Sequence, residues 1–338
     1  MITFDVFTDP YFSVSSMLEG IDKMPYVPTG LDTLIGFEPE PVNTDTIQIE
    51  FRNGQLNLIN TTLRGAPIEM GTEPAKAVRQ FKLPRLAKGD QIFAHQIANL
   101  RPYDGEGEVE TVGKVLARKQ DQLITDLEGT EEFHRLGALN GAVYNPNGSL
   151  VIDFYSEFGI SQPSVIDLDL DNPTPVPGKL RRDIDELIVT PIETASLAGN
   201  APNFAIKALC SAAFFNRLVT HPDVEKTYLN WSAAADLRGM KRYEGFEFGG
   251  VTWIRYRGTT QIGITANQCK IFPVGVPRMF KHVMGPCNER FETMHQMGRR
   301  YYPLLVRDKD RDQYVQPEIY SYPGFLNLRP DLVLRAQI

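Results

Sequence analysis

Three aspartates at alternate positions, Asp308, Asp310 and Asp312, offer the oxygen-rich opening of a calcium loop. Such a loop needs glycine at its sixth position for a sharp turn and a bidentate glutamate at its twelfth. Gln313 and Ile319 stand there instead, so the spacing predicts no calcium site. Asp167, Asp169 and Asp171 alternate with Leu168 and Leu170, as in a half-exposed strand or an extended crossing, and one strand face does not supply convergent ligands. The soft side chains Cys269, His282, Cys287 and His295 match no paired zinc spacing and are read as structural. Pro28-Thr29-Gly30-Leu31-Asp32 is similar to the edge of a nucleotide-binding turn, but the chain has no Gly-x-x-x-x-Gly-Lys-Ser/Thr loop to cradle phosphate. His95, His134 and His221 have no serine or cysteine elbow beside them. Trp231, Trp253, Tyr301 and Tyr302 are read as core or interface anchors rather than a base-stacking platform. The reading is therefore no catalytic residue, no metal ligand, no cofactor and no enzyme. Its rival from another class is a metal-dependent hydrolase whose site is assembled from scattered residues.

Composition narrows the classes further. At 338 residues, with 42% hydrophobic and 23% charged residues, the chain can bury a sizeable core as two compact domains or one elaborated one. A formal charge of -7 argues against coating nucleic acid, which needs a basic surface to displace counterions. The pairs Arg181-Arg182, Lys241-Arg242 and Arg299-Arg300 are read as solvated or interface-facing. An odd, widely spaced set of three cysteines, Cys210, Cys269 and Cys287, suits a reducing compartment. Met1 to Asp5 lacks the basic and apolar regions of a signal peptide, and no apolar stretch approaches a membrane span. The expectation is a protein without a propeptide that stays in the cytosol until lysis and has no membrane partner.

The elements that would position any site fall in a clear order. Residues 1–45 carry Pro10, Pro25, Pro28, Pro39 and Pro41 and no sustained periodicity, yet also Phe4, Phe7, Tyr11, Phe12, Leu31, Leu34, Ile35 and Phe37. They read as an arm that packs along something else. From Thr46 the alternation Ile47, Ile49, Phe51 predicts a strand, Asn53-Gly54 a hairpin turn, and Leu56 and Leu58 its partner. The extended course continues through Arg64-Gly65-Ala66-Pro67 to a tip at Gly71–Pro74 and returns along Ala77–Leu83. A two-stranded projection of this kind is marginal in water, so its surface is expected to be completed by another molecule.

The longest helical pattern is Thr111–Leu139, where Val112, Leu116, Leu123 and Leu127 form an apolar stripe. Lys114, Arg118, Lys119, Asp121, Asp126 and Glu128 lie on the wet side. Gly129 predicts a kink, with two shorter helices as the alternative. A hairpin follows, from Gly141 to Tyr144, a turn at Asn145–Gly148, and Leu150–Phe154. Residues 161–178 read as a Pro- and Asp-rich domain boundary. Leu180, Ile184, Leu187 and Ile188 predict a helix kinked or ended by Pro191. Ile206–Cys210 reads as a buried strand, Ser211 as the cap of a helix carrying Phe214, Phe215, Leu218 and Val219, and 246–257 as two strands about Gly249-Gly250. The tail from Tyr301 is extended, with turns at Asp308–Asp310 and Pro323-Gly324. The class is α+β.

This order of parts resembles the major capsid protein of lambda-like tailed phages and related prophages, over nearly the whole chain from about Pro28. The residues that carry the resemblance are Ile47–Leu58 with Arg52-Asn53-Gly54, Arg64-Gly65-Ala66-Pro67, Phe81-Lys82-Leu83-Pro84, Tyr243-Glu244-Gly245 before Val251–Tyr256, and Asp331-Leu332-Val333-Leu334. The resemblance implies the tailed-phage major capsid fold of the Hong Kong phage type. Its parts would be an N-terminal arm over 1–45, a β-hairpin and extended loop over 46–95, and the spine helix with the first part of the peripheral domain over 96–164. An axial domain would follow over 165–290, and returning peripheral strands over 291–338.

The implied function is self-assembly into an icosahedral shell of hexamers and pentamers around a double-stranded DNA genome, packaged without sequence preference. The same fold also allows an enzyme-loaded nanocompartment. Implied contacts between subunits, on the arm and loop, are Phe7, Tyr11, Phe12, Arg64, Gly65, Pro67, Glu69, Met70 and Arg79, while Val112, Leu116, Leu123 and Leu127 would seat the spine. Implied partners are a separate scaffold and maturation protease, a portal and a decoration protein. Assembly would occur in the host cytoplasm and the product would be the virion capsid. No lysine–asparagine pair is identified for an autocatalytic cross-link, so closure is expected to be non-covalent.

Overall fold

A computed structural model describes residues 30–51, 77–94, 96, 108–197, 204–229, 245–256, 258–259, 262–289, 291, 293, 296–311 and 313–338. The architecture is α+β, and the chain divides into two compact units. The first takes residues 1–47, 81–134 and 281–326, and the second 48–80, 135–280 and 327–338.

The dominant element is one unbroken helix, Glu108–Asn140, of 33 residues. It runs straight through Gly129 in secondary structure, so the two-helix alternative does not hold. Glycine in a helix interior costs only about 1 kcal/mol relative to alanine, far less than the packing of so long an element supplies. Leu116, Leu123 and Leu127 are buried as the stripe predicts, and Val112 lies in the helix.

In the first unit, Leu123 and Leu127 pack with Tyr301, Ile319 and Leu86 against an antiparallel sheet. Its central strand Tyr314–Ser321 pairs with Tyr302–Arg307 on one side and with Leu86–Gly89 and Ile92–Phe93 on the other. Burial along Tyr314–Ser321 alternates strictly, placing Val315 and Ile319 on the covered face. A second sheet sets Phe280–Met284 between Glu38–Pro41, which runs parallel to it, and Pro323–Asn327. The end of the arm is therefore part of this unit. Leu31 and Ile35 are buried on a π-turn, Asp32–Gly36, and Phe37 meets Phe325 edge-on at 5.6 Å between centroids. From Leu31 onward, what the arm packs along is its own chain.

In the second unit, a six-stranded sheet orders Phe246–Phe248, Val251–Arg255, Ala205–Cys210, Gln268–Val274, Leu334–Gln337 and Val165–Asp167. One face carries Ile206, Ala208, Cys210, Trp253, Cys269, Ile271 and Ala336 under helices that supply Leu180, Ile184, Ile188, Ile192, Phe214 and Leu218. The first two strands join through Gly249 and Gly250 with φ of +65° and +77°, the two positive φ values of a type I′ turn. Ser211 caps Ala212–Val219 by accepting from the Phe214 N–H at 3.4 Å.

Several expectations need correction here. Residues 161–178, read as a domain boundary, lie within the 135–280 segment of the second unit, where Val165–Asp167 is an edge strand and Leu168 and Leu170 join the core. The tail also divides: Leu334–Gln337 pairs with Gln268–Val274 and Val165–Asp167, in the second unit's sheet. Phe154 opens a helix, Phe154–Phe158, since Asp153 accepts from the N–H groups of Tyr155 and Ser156 and so ends the strand.

Pro191 neither kinks away nor ends its helix. Lys179–Ile184 loosens into a π-turn, Asp185–Val189, before Thr190–Leu197 resumes. The wider turn accommodates proline's missing N–H and keeps residues four apart on one face. Leu180, Ile184, Ile188 and Ile192 are consequently buried, and Leu187 is turned outward.

Candidate functional site

Among the described residues, several side chains with chemical potential are held in local structural duty. Asp308 caps its own hairpin turn, its carboxylate accepting from the N–H groups of Asp310, Arg311 and Gln313 at 3.2 to 3.5 Å. Asp312 lies outside the described residues. Asp169, at φ +54°, accepts from the Lys179 ammonium at 2.9 Å and from Asn172 at 3.1 Å, and these donors hold its carboxyl below the usual range. His282 stacks on Phe325 at 4.4 Å, and Cys287 contacts the Tyr322 hydroxyl at 3.6 Å. Cys269 belongs to the second unit's sheet, and His95 and His295 lie outside the described residues. His221 Nδ1 accepts from the Asp223 N–H at 3.2 Å. Among the described residues, no group of three or more His, Cys, Asp and Glu side chains is placed to hold a metal ion.

What stands out is a polar continuation of the helix stripe. Gln120, Glu131 and His134 extend the line of Leu116, Leu123 and Leu127 and are as deeply buried. Arg300 donates to Glu131 Oε2 through Nε at 3.1 Å and Nη2 at 2.8 Å, with Glu128 at 3.6 Å. Burial works against the Arg300 charge, but Glu131, Tyr301 and Glu128 outweigh it and raise its pKa. Of the Arg299-Arg300 pair, Arg300 is thus held in a largely buried ion pair, while Arg299 stays exposed. Glu132 Oε1 accepts from the Leu31 N–H at 3.0 Å and fastens the arm's end to the helix. Both ring nitrogens of His134 are buried without a hydrogen-bond partner, and burial pushes its pKa down to about 4. In the second unit Lys270, cross-strand from Arg335, is pushed down to about 8 by burial and by that arginine. Periodicity did not expose these groups, because a charged residue on an apolar stripe looks like an interruption until its partner, here more than a hundred positions away, is known.

The residues expected to reach other subunits divide by position. Arg79 is exposed on Ala77–Lys82, which pairs with Thr46–Phe51, while Phe81 and Leu83 are buried. Phe7, Tyr11, Phe12, Arg64, Gly65, Pro67, Glu69 and Met70 lie outside the described residues, as does the Asn53-Gly54 turn. The structure adds large apolar side chains left in water: Phe291 is 95% exposed, Val176 64%, Met297 56% and Leu150 55%. Tyr144 faces Leu150 across the 142–153 hairpin and is also exposed. No local signal separates these from core residues, since burial and interface use the same side chains.

Comparison with known proteins points to a role for such surface. The chain matches the sequence model of the phage major capsid protein E family over residues 13–338. It is 28% identical to the major capsid protein of Pseudomonas phage KPP10, the alignment covering 96% of this chain and 97% of that one. Against the major capsid protein of Salmonella phage Felix O1 it is 23% identical, covering 96% and 95%. A crystal structure assigned as a capsid protein of an E. coli CFT073 prophage superposes with a TM-score of 0.56 at 12% identity, covering 96% of this chain and 98% of the other.

Proposed function

The chain belongs to the phage major capsid protein E family, and from that premise we propose that it is the repeating subunit of an icosahedral shell around a double-stranded DNA genome. One observation carries the reading: the likeness runs the length of both partners, the family match spanning residues 13–338 and the alignment to the KPP10 major capsid protein covering 97% of that chain. Both relatives are phage capsid proteins, which favours a genome over enzyme cargo as the content.

The mechanism is multivalent self-association. Each subunit contact is modest, but a subunit in a closed shell leaves only when several contacts break together. In this reading the arm, with Phe7, Tyr11 and Phe12, and the extended loop, with Arg64, Gly65, Pro67, Glu69, Met70 and Arg79, lie over neighbouring subunits. Residues 165–290 gather around the fivefold and sixfold axes, and the remainder after the loop forms the peripheral domain. The exposed apolar side chains support this use of the surface, because burying them between chains gains the same area-dependent free energy that drives folding. A scaffold, a maturation protease, a portal and a decoration protein are separate partners, closure is non-covalent, and assembly takes place in the host cytoplasm. The charge of -7 fits a container, because DNA driven in by a motor needs no basic wall.

Negative-stain microscopy of the purified chain, alone and co-expressed with the neighbouring gene products, tests the reading. Closed shells or capsomers are expected. Monodisperse monomers under every co-expression condition would overturn it.

A further inference from the structure

Cys210 ends the Ala205–Cys210 strand and Cys269 is the second residue of Gln268–Val274, and the antiparallel register sets the two directly opposite. Both are fully buried free thiols on the face that carries the second unit's core. The backbone bonds define the kind of pair. The Ser211 N–H donates to the Gln268 carbonyl at 3.0 Å, which makes 211 and 268 the hydrogen-bonded partners. Antiparallel ladders alternate, so 210 and 269 form a non-hydrogen-bonded pair, with Cα atoms about 4.5 Å apart and side chains at their closest. The Cys210 carbonyl agrees, accepting from the Tyr256 N–H toward the opposite neighbouring strand. Disulfides bridge Cα separations of about 4.4–6.8 Å, so the register brings the pair within reach of a bond. The Cys210 thiol donates weakly to the Ala208 carbonyl of its own strand at 3.8 Å.

We propose that Cys210 and Cys269 are a modification site, a latent cross-strand disulfide that closes when the protein meets a peroxide outside the reducing cytosol. The occasion rests on the shell reading, since a particle freed by lysis leaves the reductants that keep thiols open. The chemistry does not. One thiolate attacks a peroxide oxygen; the S–O bond forms, the O–O bond breaks, and water leaves after protonation. The second thiolate attacks that sulfenic sulfur; the S–S bond forms, the S–O bond breaks, and a second water leaves. Two thiols are oxidised and one hydrogen peroxide is reduced to two waters. Burial, and then the Cys269 thiol, raise the Cys210 pKa, so thiolate is scarce and the pair stays open through brief exposure. Cys287 has no such partner: it is in the first unit, beside the Tyr322 hydroxyl.

The test is to incubate the purified full chain, dispersed and as particles, with hydrogen peroxide, then quench, unfold, alkylate and map the peptides by mass spectrometry. Alkylatable cysteines are expected to fall from three to one. The survivor should be Cys287, with the Cys210 and Cys269 peptides joined within one chain and released by dithiothreitol. Cys269→Ala should leave Cys210 unlinked. Three alkylatable thiols after treatment, or a link that includes Cys287, would overturn the proposal. The wild-type readout requires no variant to fold. A chain that closes the bond yet forms no particle would overturn the shell reading alone, and particles that retain three thiols would overturn only this proposal.

Discussion

His134 is the residue at which the long helix is most exposed to acid. It is 1% accessible and both ring nitrogens lack a partner, so a proton added there in the folded state finds neither water nor an acceptor. Its pKa is pushed down to about 4, whereas an unfolded histidine titrates near 6.5. Between those values the unfolded chain binds the extra proton, so stability rises with pH through that window. The contribution is fully present above about pH 6.5 and is lost as pH falls toward 4. Between pH 7 and pH 5 the loss amounts to about 2 kcal/mol, an order-of-magnitude figure. Urea unfolding of wild type and His134→Leu at both pH values checks this: the variant should lose less stability on acidification by roughly that amount. Equal losses would mean that His134 is solvated or paired. Glu131, about one turn earlier, meets burial differently, by accepting two hydrogen bonds from Arg300.

At the scale of elements, Gly129 is the informative position. It is exposed in the middle of Glu108–Asn140, and a Cβ there would meet nothing within 4 Å. Gly129→Ala should therefore stabilise the protein by about 1 kcal/mol through helix propensity, read as a higher urea midpoint at unchanged slope. A lower midpoint would show that the helix needs a bend there. The helix itself was legible because Leu116, Leu123 and Leu127 recur at its period, and the 246–255 hairpin because Gly-Gly between alternating runs demands positive φ. Other parts were not legible, for physical reasons. Leu187 matches helical spacing as well as Ile188 does, and only the π-turn before Pro191 decides which of them faces the core. Val165–Asp167 and Leu334–Gln337 become neighbours through long-range pairing, to which local pattern is blind. As for the candidate site, alternation would put Arg79 on the face of the buried Phe81 and Leu83, yet it is exposed, and the Glu131–Arg300 pair and the exposed Phe291 likewise depend on what the rest of the chain covers.

For the whole molecule, the proposed shell contacts and the described cores use different residues, which would make folding and assembly separable. The core of each unit is closed by its own side chains, as Leu123, Leu127, Tyr301 and Ile319 are in the first and Trp253, Phe214 and Ile184 in the second. The segment Gly65–Pro74 lies in the stretch proposed to cover a neighbouring subunit. On that proposal, deleting it removes contacts between chains and leaves each core intact. A shell subunit held by several neighbours multiplies its affinities, so losing one class of contact reduces particle yield far more than in proportion. The deleted chain is expected to keep its far-ultraviolet circular dichroism and its urea midpoint while microscopy finds monomers, capsomers or aberrant particles. Normal shells from the deleted chain would remove the loop from the assembly mechanism. A collapsed unfolding transition would instead assign it to the fold of its own subunit.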